Sequence, residues 1–115
     1  MTDKLVVGKI ISGIYELVTQ AHANIQQNYS DIDPVVSVNT QMRKKGIPAD
    51  VMTIDCLKTG KRILLIFHDE QADVVSYQFC LKDKDPHDEF VSIALKQVTA
   101  QQLYDWMVLN FSKPN

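Results

Sequence analysis

The chain is poor in the residues that build special-purpose scaffolds. Its 115 residues include two cysteines, four glycines, four prolines and one tryptophan. Two cysteines cannot make the dense disulfide framework on which many small secreted domains depend. Cys56 and Cys80 both lie inside apolar stretches and read as reduced core thiols. So few glycines and prolines exclude collagen-like or linker-like organisation. Neither sign of charge dominates: 12 Lys and Arg stand against 14 Asp and Glu, a net −2. That balance argues against a protein whose main partner is a polyanion. The longest unbroken apolar run, Ile63-Leu64-Leu65-Ile66-Phe67, has five residues. A membrane span needs at least ~18. The opening MTDKLVVGKIISGIYELV carries Asp3, Lys9 and Glu16 within its apolar pattern, unlike a signal peptide. These absences point to a cytoplasmic protein without membrane contact.

What is present is ordinary globular usage, 45% hydrophobic and 23% charged. The length suits a single α+β domain over residues 1–115, burying roughly two thirds of its unfolded surface.

The first segment has helical periodicity. Val7, Ile10, Ile11, Ile14, Val18, Ala21 and Ile25 recur at steps of three and four. Thr2 is placed to cap it, with Asp3 in the positive first turn. Gly8 and Gly13 disfavour a helix interior by about 1 kcal/mol each. Close packing against a sheet is the expected reason for them. Pro34 ends the segment, since proline cannot continue a helix. A connection then runs over residues 31–48. Within it, Val35-Val36-Ser37-Val38 has the composition of a short edge strand.

Four principal strands follow, at Val51–Leu57, Arg62–His68, Val74–Leu81 and Phe90–Gln97. The Lys58-Thr59-Gly60-Lys61 turn between the first two is a hairpin signal. The last two alternate apolar and polar residues, as half-buried strands do. Thr99-Ala100-Gln101-Gln102 is a capping-box pattern opening a final helix through Phe111. The expected fold is therefore a long N-terminal helix, a four-stranded antiparallel meander and a C-terminal helix. Both helices belong on one face of the sheet.

Chemistry-bearing motifs are sparse. His68-Asp69-Glu70 falls where one strand must turn into the next, and acids are common at exposed turns. No spacing typical of zinc ligands accompanies it. Asp83, Asp85, Asp88 and Glu89, clustered with His87, offer oxygens to a hard cation, but without the glycine and ligand spacing of a calcium loop. Lys58-Thr59-Gly60-Lys61-Arg62 leads into a strand, whereas a phosphate loop leads into a helix. No catalytic residue, metal ligand or cofactor-binding residue is expected from these patterns.

Surplus hydrocarbon is the unusual feature. In Ile63–Phe67 both faces of the strand are apolar, so Leu64 and Ile66 point away from the helices. The final helix carries Leu103, Tyr104, Trp106, Met107, Val108, Leu109 and Phe111, more than one buried stripe requires. Such surfaces mark association, most commonly as symmetric dimers. Leu64, Ile66, Trp106, Met107 and Leu109 are the expected interaction residues. The function expected is that of a non-enzymatic homodimer, an adaptor or chaperone-like interaction module. The alternative is a nucleic-acid-binding accessory domain using Arg43, Lys44, Lys45, Lys58, Lys61 and Arg62.

Overall fold

The computed structural model describes residues 4–29 and 31–112. Helix α1 spans Lys4–Asn28, strand β1 Pro34–Asn39 and the short helix α2 Gln41–Lys44. Strands β2 (Ala49–Cys56), β3 (Lys61–His68), β4 (Val74–Leu81) and β5 (Val91–Ala94) follow, then helix α3 (Ala100–Phe111). Single 3-10 turns occupy Asp69–Gln71 and Leu95–Gln97. Thr2, Asp3, the side chain of Val7, Ser30 and the tail from Lys113 lie outside the described residues.

The strands form one antiparallel sheet in chain order, β1-β2-β3-β4-β5. The α+β order is as expected, and α1 and α3 pack on each other and over β3. The sheet has five strands where the periodicity indicated four. The difference is β1, which pairs with β2 along its whole length, from Pro34↔Cys56 to Asn39↔Val51. Its six residues are too few for periodicity to establish a strand, and a partner in space decides the matter. At the other edge, β5 is shorter than its alternation suggests. The Leu95 amide donates to the Asp73 carbonyl at 2.8 Å, and Val98 to Leu95 at 3.0 Å, which bends the chain into a turn.

The core lies between helices and sheet. Met52, Ile54, Ile63, Leu65 and Val75 come from alternate strand positions and are sealed from solvent. Val18, Ala21 and Ile25 of α1 and Leu103 and Met107 of α3 meet them in the same cluster. The capping threonine is in place: Thr99 Oγ1 accepts the Gln102 amide at 3.0 Å. The β2–β3 hairpin turns at Gly60, whose φ of +74° suits a residue without a Cβ.

Gly8 and Gly13 are not explained by close packing. Both are exposed, and a Cβ at either would meet nothing within 4 Å. Gly13→Ala is therefore expected to stabilise the chain by about 0.5–1 kcal/mol, since alanine restricts the unfolded chain and favours the helix. A urea titration checks this: the midpoint should rise, and a fall would show that Gly13 is needed as glycine.

Candidate interaction surface

The 31–48 connection is ordered around one arginine. Asn39 Oδ1 accepts the Gln41 amide at 2.7 Å and opens α2. At its other end the Gly46 amide donates to the Arg43 carbonyl at 3.1 Å, and Ile47 donates to Met42 at 2.9 Å. That pair of bonds, with Gly46 at φ +89°, is a Schellman cap. A four-residue helix fixed at both ends holds Arg43 over the sheet's rim. Its guanidinium forks onto Asp50, with Nε at 3.1 Å and Nη2 at 3.0 Å. It also forks onto Asp69, with Nη1 and Nη2 both at 2.8 Å. The side chains of Arg43, Asp50 and Asp69 are only 17, 8 and 10% exposed. The bonds to Arg43 hold the Asp69 carboxyl below the usual range, and the bonds from Asp69 and Asp50 raise Arg43 further above its own. Asp69 of the His68-Asp69-Glu70 stretch is thus buried, not an exposed turn acid, and forms one jaw of a structural clamp.

Arg62 is committed in the same way. It lies opposite Asp55 in the β2–β3 register. Its Nε and Nη2 donate to the two Asp55 oxygens at 2.6 and 2.9 Å. Asp55 keeps its partner's pKa raised, chiefly through these bonds. Both arginines of the expected basic patch are thus engaged by buried carboxylates. Lys58 sits 3.5 Å from Asp31 at the surface. Lys44 and Lys45 are exposed on α2 and its cap, while Lys61 is half-buried on β3.

Three of the five expected interaction residues are internal. Trp106 and Met107 are 5% and 0% exposed. Trp106 stacks on Tyr77 with ring centroids 4.3 Å apart and meets Phe79 edge-on at 6.4 Å. The apolar excess of α3 is consumed by α1, the sheet and this aromatic cluster. Leu64 is 6% exposed on the opposite face of the sheet. It pairs there with Gln78, whose amide binds the 82–90 loop. Gln78 Nε2 donates to the carbonyls of His87 at 2.9 Å and Glu89 at 3.2 Å, and its Oε1 accepts the His87 amide at 2.8 Å. The loop read as a candidate cation site is thus held by its backbone over that face. Ile66 is half-buried, and only Leu109, at 49%, is well exposed.

Between α2 and that loop the face retains an open cleft of about 430 Å³. Thr53, Leu64 and the Asp55–Arg62 pair line it, with Asn39, Met42 and Lys82 around them.

The longer of the two sheet edges is β1. It has β2 on one side and, among the described residues, no strand on the other. Its residues, Pro34-Val35-Val36-Ser37-Val38-Asn39, carry no charge. Val35 is 41% exposed and Val38 45%. They lie on opposite faces, since Val35 pairs with Asp55 and Val38 with Met52. Natural sheet edges are usually blunted by lysine, bulges or a covering element. The β1–β2 register is continuous, without a bulge. Within β1 itself, proline at the first position is the blunting feature.

Reactive groups do not converge elsewhere. Both cysteines are unpaired and buried, and burial pushes the Cys80 thiol up. Among the described residues, no three His, Cys, Asp or Glu side chains gather as metal ligands would. Nor is any helix among them long and apolar enough to cross a membrane. No family model, curated protein or solved structure matches this chain.

Proposed function

We propose that this chain is a small non-enzymatic interaction module, of the adaptor or chaperone-like kind, working as a homodimer in the cytoplasm. The observation that carries the reading is the unpaired, uncharged edge of β1 with valine exposed on each face. Backbone donors and acceptors along such an edge are recognition groups for another extended chain. The two reduced, buried thiols are in keeping with a reducing compartment. A nucleic-acid role draws no comparable support, because Arg43 and Arg62 spend their guanidinium donors on carboxylates.

The test is absolute mass by light scattering on a sizing column at low and high protein concentration. A dimer has about twice the 13.1 kDa mass of the chain. A value at the chain mass at both concentrations would reject self-association.

A further inference from the structure

We propose that two copies join β1 to β1, antiparallel, so that the two sheets become one sheet of ten strands. The inference rests on the homodimer reading and names its surface and geometry.

Three observations lead to it. The first is access. The helices pack over β3, and Val38 stays half exposed on the helix side of β1. A second strand can therefore lie alongside without displacing the helix layer. The second is regularity. All six residues of β1 follow one register against β2, so alternate residues turn their backbone groups outward in the regular antiparallel pattern. The opposite edge, β5, has four residues and ends in a 3-10 turn.

The third is charge. β1 itself is neutral, but its approaches are not. Asp31 and Asp33 precede it, with side chains 80% and 74% exposed. Lys44 and Lys45 follow it and are exposed. In an antiparallel pair, the acidic approach of each copy lies toward the basic exit of the other. The match occurs twice by symmetry. A parallel pair would instead set like charge against like. The surface contacts of Asp31 with Lys58, and of Asp33 with His22 and Gln26, are weak enough to yield or to be shared.

Opposed residues of an antiparallel pair share a face, so the two-fold axis passes through a residue position. Centring on Ser37 sets Val38 against the partner's Val36. Centring on Val36 sets it against the partner's Pro34. Either way the exposed Val38 is covered by an apolar residue.

The experiment compares light-scattering masses of wild type, Val38→Lys, Asp31→Lys/Asp33→Lys and Lys44→Glu/Lys45→Glu, with circular dichroism to check folding. Wild type should dimerise. Val38→Lys and each double variant should remain folded and dimerise about tenfold more weakly or worse, because each juxtaposes or buries like charge. An equimolar mixture of the two double variants should dimerise again, since both charge matches are then restored with reversed sign at one of them. Dimers that ignore all these substitutions would overturn the β1 pairing while leaving the homodimer reading intact. Double variants that weaken alone but gain nothing on mixing would overturn the antiparallel geometry. A wild-type monomer at both concentrations would reject the inference together with the reading beneath it.

Discussion

Arg43→Ala should cost this chain about 3–5 kcal/mol of stability, the range found when one partner of a buried ion pair is removed. The magnitude follows from what is left behind. Asp50 and Asp69 are 6% and 7% exposed, and they would lose four charge-assisted hydrogen bonds between them. They would also face each other's charge without a cation between them. Arg43→Lys should recover little, because an ammonium cannot fork onto two carboxylates. Urea unfolding reads the loss directly, as a midpoint lowered by more than about 1 M. A midpoint within error of wild type would show that the clamp adds nothing net.

The same clamp gives an acid signature. Asp69 has a folded pKa below its unfolded value of about 3.9. Its contribution is therefore complete above that unfolded value and is lost as pH falls through the lower, folded one. In Arg43→Ala the two buried, unpaired carboxyls take up protons more readily than in wild type, so the stability gap should narrow as the pH is lowered through the acid range. A gap independent of pH down to full protonation would contradict the assignment of Asp69 to the clamp.

Trp106→Ala is the second large effect, with an expected loss of about 3–5 kcal/mol. The indole fills the space between α3 and β4, stacked on Tyr77 and edge-on to Phe79. Its removal leaves a cavity that two aromatic rings on a paired strand cannot collapse to fill. The measurement also separates two roles for this residue. A core tryptophan lowers the unfolding midpoint of the chain at any concentration. An interface tryptophan would leave the dilute protein stable and remove only association. An unchanged midpoint in dilute protein would place Trp106 outside the core.

Much of the fold is legible in local pattern. The 3.6-residue recurrence of Ile14, Val18, Ala21 and Ile25 marks the buried stripe of α1. Alternation in β4 places Tyr77 and Phe79 toward the helices, where they meet Trp106. Asn39 before Gln41 and Gly46 after Lys45 are, in hindsight, the signals that a helical turn interrupts the long connection. They are easily missed, because four residues show no hydrophobic period.

The candidate surface was far less legible. Apolar excess in α3 is real in the sequence, but a list of side chains does not say how many neighbours will cover them. α3 packs against α1 and the sheet at once, so Trp106 and Met107 are enclosed. Leu64 is sheltered on the other face, beside the Gln78 amide that grips the 82–90 loop. The carboxylate partners of the two arginines in the basic set were hidden for a related reason. Arg43 and Asp69 are 26 residues apart, and Arg62 and Asp55 meet only because two strands adopt one register.

Local pattern was enough to place the two long helices, the four principal strands, the core stripes, the hairpin at Gly60 and the cap at Thr99. Each depends on a few consecutive residues or on a short period that the backbone imposes. Only the assembled fold shows which apolar residues are enclosed, which arginines are spent on carboxylates, and that β1 is an edge strand with no further strand beside it among the described residues. Those outcomes depend on which distant segments meet, and burial and pairing are properties of the meeting.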